Sequence, residues 1–203
     1  MKKVIVIILW FLLVSFDYNK PQNISVSSED ENVVHNDVKA INISANVNIK
    51  HNHPFAKFCT DNQRIAIYYQ IECGIPTSIQ LAQAIVESGG GKSRMAMVTN
   101  NLFGMKYYKA LYKGDYWTSP SGTKWRKYDS IEDSFKDHAE FLHRFYPSAI
   151  GKDWKYWVNS CKGYGAGQYW AHIGSVIEKY ELWRYDDYVE EYKSHRVQKT
   201  YNL

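Results

Sequence analysis

The sequence predicts a mainly helical α+β domain with one small β lobe. Several segments between positions 55 and 180 repeat apolar residues at the three- and four-residue spacing of a helix. One segment, 105–128, instead combines Gly114, Pro120 and Gly122 with Tyr, Trp and Thr, which is typical of a short hairpin. Strands and helices do not alternate along the chain, so a parallel α/β sheet is not expected.

The N-terminal part of the 203-residue chain is predicted to lie outside this domain. Two lysines precede an apolar run that ends at Phe16, so residues 1–16 are expected to be a signal peptide. The run is shorter than the roughly 20 residues that span a bilayer, but its retention as an N-terminal anchor stays open. Residues 17–52, rich in Asn, Ser, Val and Asp, are expected to form a flexible linker, which leaves 53–203 as the folded domain.

The composition points away from nucleic acids. The net charge is only +4 and the isoelectric point is about 8.8, and the basic residues are scattered along the chain. The 17 Tyr and 7 Trp should mostly pack in the core, although such an excess also suits a groove that binds sugar rings. The sequence has no metal-ligand or cofactor motif, so we expect no cofactor.

The three cysteines permit at most one intramolecular disulfide. Cys59 and Cys73 flank a predicted helix, which would hold their α-carbons about 20 Å apart, too far for a bond. A bond from Cys161 to either of them stays open, but we interpret all three residues as free thiols.

The first two helices are predicted on either side of a break at the Gly-Ile-Pro sequence of residues 74–76. The first helix begins near Phe55. Thr77, followed by Gln80 three residues later, has the pattern of a capping box at the start of the second helix. The glycines at 89–91 end that helix. Its apolar face consists of Ile79, Ala82 and Val86.

Three later helices are predicted at 130–145, 154–160 and 169–180, and a short helical turn is expected within 95–103. The helix at 130–145 has the clearest inward face. That face consists of Ile131, Phe135, Ala139 and Leu142, with His138 beside them.

Glu87 occupies a position that suits a catalytic carboxyl group. It falls in the last turn of the second helix, where the negative end of the helix dipole disfavours an ionised carboxylate. The neighbouring Ile85 and Val86 can add desolvation, which also raises the pKa of a carboxyl group. A protonated carboxylic acid near neutral pH can protonate a glycosidic oxygen. The alternative is a solvated glutamate that ends a helix.

The Gly-Gly-Gly-Lys-Ser stretch that follows Glu87 is not expected to bind a nucleotide. A phosphate loop needs its first glycine at the position of Val86, and it opens a helix after a strand, whereas this stretch closes a helix.

Four blocks, taken in order, resemble the bacterial β-N-acetylglucosaminidases of glycoside hydrolase family 73, which are lysozyme-like peptidoglycan hydrolases. The resemblance covers about residues 54–186 and implies a lysozyme-like fold that cleaves the β-1,4 bond after N-acetylglucosamine in peptidoglycan. The blocks are GIPTSIQLAQAIVESGGGKSRMAMVTNNLFGMK, WRKYDSIEDSFKDHAEFL, GYGAGQYW and IGSVIEKYELWRYD.

The resemblance implies roles for individual residues. Glu87 matches the catalytic acid of the family. Asn101, Phe103 and Gly104 match a segment beside the active site, and we expect them to bind substrate, although turn chemistry for Asn101 and core packing for Phe103 stay open. Tyr164 matches the tyrosine of a Gly-Tyr-Ala-Thr-Asp motif near the cleft and is expected to serve catalysis.

The sequence departs from the family pattern at the second catalytic group. Family members usually carry another acidic residue in the β lobe, where this chain offers only Asp115, and its Gly-Tyr-Gly-Ala-Gly loop lacks the aspartate of the motif. Either the 2-acetamido group of the substrate attacks its own anomeric carbon, with Tyr164 orienting it, or Asp115 activates water. His138 is a less favoured base, because a core or surface role in its helix is expected.

The sequence therefore predicts an exported glycoside hydrolase, periplasmic, envelope-bound or secreted, that acts as a monomer on peptidoglycan glycan strands. Contact with a membrane is expected only through the N-terminal segment. Two alternatives stay open: a lytic transglycosylase with Glu87 as its single catalytic carboxyl group, and a glycan-binding protein without activity.

Overall fold

The computed structural model of the protein describes residues 53–163 and 167–201, and for residues 195–201 it describes the backbone alone. The predicted signal peptide and linker lie outside the described residues, and so does Tyr164. No helix in the described part of the chain is long and apolar enough to cross a bilayer.

The described residues form seven α-helices and one two-stranded sheet, which confirms the predicted mainly helical α+β class. A short 3-10 turn follows α4. The helices are α1 Ala56–Cys73, α2 Thr77–Ser88, α3 Arg94–Thr99, α4 Ile131–Phe145, α5 Trp154–Ser160, α6 Tyr169–Lys179 and α7 Trp183–Tyr201. The strands are β1 Tyr116–Thr118 and β2 Lys124–Arg126.

Helix α2 forms the centre of the domain. It packs against α1, α6 and α7, and nearly all its side chains are buried, including Ile79 and Ala82 on the predicted apolar face. Gly89 ends the helix with a left-handed backbone, φ +63°, as the glycine run predicts.

The N-terminus of α2 is capped from other helices, so the predicted capping box between Thr77 and Gln80 is wrong. The backbone N–H of Thr77 donates to Gln70 Oε1 at 2.9 Å, and that of Ser78 donates to Asp186 Oδ1 at 2.9 Å. The Gln80 amide instead donates to the carbonyls of Ala66 and Ile75, both at 2.9 Å. Burial of the helix start explains the difference, because groups from packed neighbours can reach its N–H groups.

Helix α4 begins with a capping box in which Ser130 and Asp133 bond each other's backbone N–H groups. Its predicted inward face is buried at Phe135, Ala139 and Leu142. His138 is also fully buried and stacks on Phe103, with ring centroids 3.8 Å apart. The core role expected for His138 is therefore confirmed, and burial lowers the pKa of His138 to about 3, which keeps the imidazole neutral.

The β lobe is an antiparallel pair extended by one bridge. Tyr116 lies opposite Arg126, and Trp117 lies opposite Trp125. On the other side of β2, Lys106 pairs with Trp125. The lobe is attached to α4 by Arg126, whose guanidinium binds both carboxylate oxygens of Asp137 at 2.5 Å.

The C-terminal helix α7 is not among the predicted helices. Its apolar stripe is narrow: Tyr185 and Val189 are buried, as is Leu182 just before the helix, while charged residues fill about half of the other positions. Such a helix forms because its stripe packs on α1 and α2, a tertiary contact that a weak local pattern does not reveal.

The three cysteines are free thiols, as interpreted from their spacing. Burial raises the pKa of Cys59 to about 12 and that of Cys161 to about 11, so both thiols stay protonated at neutral pH.

Candidate active site

Glu87 lies one residue before the end of α2 and is partly buried. Among the described residues, no ion pair involves its carboxylate. The turn behind it is held by Ser88, whose hydroxyl donates to the Ala84 carbonyl at 2.5 Å and accepts from the Gly91 N–H at 2.7 Å. The helix end therefore presents a carboxyl group that carries no structural ion pair.

Tyr169, the first residue of α6, lies close enough to the Glu87 side chain for its hydroxyl to lower the pKa of the carboxyl group. Its hydroxyl also accepts a hydrogen bond from Gln83 Nε2 at 3.3 Å, one turn earlier on the same face of α2. Burial raises the pKa of Glu87, and the hydrogen bond from Tyr169 opposes that rise, with burial the larger effect. The arrangement favours a protonated carboxylic acid at higher pH than for an exposed glutamate.

Gly104 makes room for the Glu87 carboxylate. A Cβ atom built on Gly104 would lie 3.3 Å from Glu87 Oε2 and 3.8 Å from Trp125 Cζ3. The residue also has φ +62°, a left-handed conformation that glycine adopts without strain. A side chain here would press on the Glu87 carboxylate and would make an ordinary contact with the indole of Trp125.

Asn101 and Phe103 are buried beneath the surface formed by Glu87 and Gly104. Asn101 is 0% exposed and Phe103 is 2% exposed. The Asn101 side chain donates to the carbonyls of Met105 at 2.8 Å and Arg126 at 3.0 Å, and it accepts from the Met105 N–H at 2.9 Å. These bonds fix the turn that carries Gly104 and attach it to β2, which is the turn chemistry left open for Asn101. Phe103 packs in the core on His138, as its alternative role anticipates.

Asp115 lies at the start of the hairpin and is exposed. Its carbonyl accepts from the Lys127 N–H at 2.9 Å, which continues the β1–β2 register by one pair. Position 115 is two residues before Trp117, so both share a face of the sheet. That face also carries Trp125, which approaches Gly104 beside Glu87.

The sequence profile of the glucosaminidase family, described as mannosyl-glycoprotein endo-β-N-acetylglucosaminidase, matches residues 63–182. That match spans more than half of the chain. The chain belongs to this family. The stated resemblance is thereby confirmed.

Curated relatives and solved structures agree with membership of the glucosaminidase family. The exo-glucosaminidase LytG of Bacillus subtilis is 32% identical over 132 residues, which cover 54% of this chain and 46% of that protein. An autolysin of Enterococcus faecalis is 32% identical over 142 residues, which cover 54% of this chain and 18% of that protein. The chain thus spans less than half the length of these relatives.

The fold of the glucosaminidase domain is shared with solved catalytic domains. The autolysin Auto of Listeria monocytogenes superposes with a TM-score of 0.55 at 24% identity, covering 79% of this chain and 98% of that one. A peptidoglycan hydrolase of Sphingomonas sp. A1 superposes with a TM-score of 0.54 at 22% identity, covering 66% and 94%.

Sequence reasoning missed Tyr169 as a member of this site in the glucosaminidase domain. The residue falls in the quoted GYGAGQYW block, five positions after Tyr164, but it reads there as the first residue of an amphipathic helix. Its distance from Glu87 along the chain hid the contact, which depends on α6 packing against α2. Tyr164 itself lies outside the described residues.

Asp186 is a second carboxyl group with a raised pKa, but it lies at the opposite end of α2. Burial raises the pKa of Asp186 to about 7, and hydrogen bonds from the hydroxyl and backbone N–H of Ser78 oppose that rise. Within the described ranges, no group of three His, Cys, Asp or Glu residues could hold a metal ion.

Proposed function

We propose that this chain is an exported peptidoglycan hydrolase that cleaves the β-1,4 bond after N-acetylglucosamine, with Glu87 as the general acid. One observation carries the proposal. The Glu87 carboxyl group is partly buried, its pKa is raised, and it lies without an ion pair to any described residue between Tyr169 and Gly104. A carboxyl group with a structural role would be expected to have a charged partner or several hydrogen bonds.

In this proposal Glu87 transfers its proton to the glycosidic oxygen as the bond between that oxygen and C1 breaks. The Tyr169 hydroxyl stabilises the carboxylate that remains, because a hydrogen bond to the charged form favours it. Gln83 holds the Tyr169 hydroxyl in place through its own hydrogen bond of 3.3 Å. Glu87 is reprotonated by the attacking water if the acetamido oxygen has attacked C1. It is reprotonated by solvent if Asp115 takes the proton of the attacking water and later releases it to solvent.

Two routes could complete the reaction at C1. In the first, the 2-acetamido oxygen of the substrate attacks C1 and water opens the resulting ring, with Tyr164 orienting the acetamido group. In the second, Asp115 removes a proton from the attacking water. For the second route, the backbone of the Asp115 strand lies two strand spacings, about 10 Å, from the segment of Gly104. Inverting glycosidases hold their two carboxyl groups about 6.5–9.5 Å apart.

We propose positioning roles for the two buried residues of the Asn-Asn-Leu-Phe-Gly segment. Asn101 holds the backbone turn, and Phe103 supports it from the core, so that Gly104 stays open beside the acid. Substrate contact in this segment is then made at the surface of Gly104.

The relatives support the choice of substrate. Two curated relatives are called an exo-glucosaminidase and an autolysin, and solved neighbours are called peptidoglycan hydrolases. We propose the same polymer as substrate, and a monomer that reaches it after export, with membrane contact through residues 1–16 alone. We propose no cofactor and no nucleic-acid partner.

A lytic transglycosylase is the second candidate, because a single carboxyl group beside the scissile bond is sufficient for that reaction. The products distinguish the two enzymes: a transglycosylase releases 1,6-anhydro ends and a glucosaminidase releases reducing N-acetylglucosamine ends. A glycan-binding protein without activity would release neither.

The test is digestion of purified peptidoglycan by the full chain, with the products identified by mass spectrometry. We expect reducing N-acetylglucosamine ends from the parent and none from Glu87→Gln, which should still sediment with the polymer. Anhydro ends would replace the proposal with the transglycosylase. Equal digestion by both forms would exclude Glu87 as the acid.

A further inference from the structure

The small β sheet has two faces with opposite characters. Residues directly opposite each other in an antiparallel pair project to the same face. Lys106 lies opposite Trp125, and Trp125 lies opposite Trp117, so these three side chains form one row across the sheet. We call this set the Trp–Lys row.

The face opposite the Trp–Lys row is occupied by contacts within the protein. Arg126 binds Asp137 and lies over the Tyr112 ring, with its guanidinium carbon 4.8 Å from the centroid. Lys124 lies over the ring of Tyr116 at 4.4 Å. The cations and aromatic rings of this face are therefore already paired.

The Trp–Lys row has no such partners among the described residues. No ion pair, hydrogen bond or ring contact engages the side chains of Lys106, Trp125 or Trp117 within 53–163 and 167–194, and all three are partly exposed. Large flat side chains and an ammonium group are thus presented together to the outside of the sheet.

The row begins beside the candidate acid. The backbone of Gly104 separates Glu87 Oε2 from the Trp125 ring, since a Cβ atom placed on it would contact both, at 3.3 Å and 3.8 Å. Adjacent strands lie about 4.8 Å apart, so the two indoles follow each other at about the length of one sugar residue. A glycan strand lying along this face of the sheet would therefore extend toward Glu87.

The chemistry of the row fits a glycan that carries carboxylates. An indole offers a flat apolar face to the C–H groups of a pyranose ring and an N–H donor at its edge. An ammonium group is a compact point charge that binds carboxylate oxygens. Two rings and one cation in a line match sugar rings followed by an anionic substituent.

We propose that the Trp–Lys row binds the glycan strand of the substrate: Trp125 and Trp117 stack on sugar rings, and Lys106 binds a carboxylate of the peptide-bearing sugar. This inference rests on the proposed function, since it takes the substrate to be an anionic amino-sugar polymer. It assigns binding to three residues outside the segments discussed for catalysis.

The test measures binding of the full chain in a Glu87→Gln background, which prevents turnover, to peptidoglycan and to an uncharged N-acetylglucosamine oligosaccharide. Trp125→Ala and Trp117→Ala should each weaken binding to both ligands about tenfold. The variants Trp125→Tyr and Trp117→Tyr, which keep a flat ring, should restore most of the affinity. Lys106→Ala should weaken binding to peptidoglycan alone and reduce its dependence on salt.

Matched controls come from the opposite face of the same sheet. Tyr116→Ala and Lys124→Ala remove an aromatic ring and a cation there, and neither should change affinity for either ligand. Unchanged binding after both tryptophan substitutions would overturn the inference, and so would an equal loss with both ligands for Lys106→Ala. Thermal unfolding of each variant identifies those that fail to fold. If an alanine variant of a tryptophan fails to fold, the affinity of the corresponding tyrosine variant is used instead.

The outcomes separate this inference from the proposed function. If the parent digests peptidoglycan but the row variants bind it normally, the inference alone fails. If the parent releases no product but the row variants lose binding, the proposed hydrolysis alone fails.

Discussion

A partly buried carboxyl group lies at each end of α2, and the two groups have different surroundings. At the N-terminus, Asp186 from α7 accepts hydrogen bonds from the backbone N–H and hydroxyl of Ser78, at 2.9 and 2.5 Å. Near the C-terminus, the Glu87 carboxyl group lies beside Tyr169, whose hydroxyl lowers its pKa, and faces the Cα of Gly104, where there is no side chain. Burial raises the pKa of both groups.

The comparison shows that a raised pKa alone does not identify a catalytic acid. Asp186 is used to cap a helix, and both its oxygens have partners, so no substrate oxygen can take its proton. Glu87 lies where the helix dipole disfavours a negative charge, and its carboxylate has no described ion pair. A structural carboxyl group is distinguished from a catalytic one by the number and kind of its hydrogen-bond and ion-pair partners rather than by its pKa.

The largest expected effects are a loss of activity when Glu87 is changed and a loss of stability when Asp186 is changed. Glu87→Gln should lower the rate of peptidoglycan digestion about 100-fold or more, because it removes the proton donor. It should leave the free energy of unfolding nearly unchanged, because no described ion pair is lost. Turbidity of a peptidoglycan suspension and urea unfolding measure the two quantities.

Asp186→Ala should show the opposite pattern. It leaves the buried donors of Ser78 unpaired, so the free energy of unfolding should fall by about 1–3 kcal/mol, while the folded protein keeps its activity. Asp187→Ala, a change at the exposed neighbouring residue, is the control. A drop in the free energy of unfolding for Glu87→Gln as large as for Asp186→Ala would contradict the conclusion that only Asp186 has a structural role.

A smaller effect is expected from the glycine beside the acid. Gly104→Ala should lower activity about tenfold beyond the loss seen for Gly122→Ala, because only the new methyl group at 104 would approach Glu87 Oε2, at 3.3 Å. Both glycines have positive φ, and nothing lies within 4 Å of a Cβ atom at 122, so the backbone cost is matched. Equal rates for the two variants would mean that the contact with Glu87 has no role in catalysis.

The pH dependence of stability sharpens the contrast at the N-terminal end. The folded pKa of Asp186, about 7, lies above its ordinary value of 3.8, so the folded state keeps a proton that the unfolded state releases. Its contribution to stability is therefore complete below about pH 4 and is lost as the pH rises through about 7. Asp186→Asn cannot ionise, so urea unfolding at several pH values should show a flatter profile between pH 4 and 7. Parallel profiles would exclude a raised pKa for Asp186.

The smallest effect is expected at Tyr169. Tyr169→Phe removes the hydrogen bond that lowers the pKa of Glu87, so that pKa should rise further. A general acid is active while protonated, so the alkaline limb of the pH–rate profile should move to higher pH. A lower rate at every pH with an unmoved limb would assign Tyr169 to packing alone.

Much of the helical body follows from local pattern. Periodicity predicts α4, and the glycine run after Glu87 predicts the end of α2. The start of α2 does not follow, because Gln70 and Asp186 reach its N–H groups from distant parts of the chain. Helix α7 was missed for a related reason. Its apolar stripe is too narrow to indicate a helix from the sequence, and the helix is stabilised by packing on α1 and α2.

The candidate site is predicted less completely. Glu87 stands out from its helix position and neighbours, and the resemblance identifies the segment of Gly104. Tyr169 does not stand out, because its contact joins two helices that lie far apart in sequence. The sequence does not decide whether Asn101 and Phe103 are buried, since one motif holds both these buried residues and the partly exposed Gly104.

Arg126 makes the β lobe move with α4. Its guanidinium is about 10% exposed and the Asp137 side chain about 20%, so separating them would leave a poorly solvated charge on each side. Breaking such a pair costs about 3–5 kcal/mol, far above thermal energy. The β lobe and α4 therefore keep a fixed relative position, and a ligand that binds beside the lobe meets a preformed surface rather than one that closes over it.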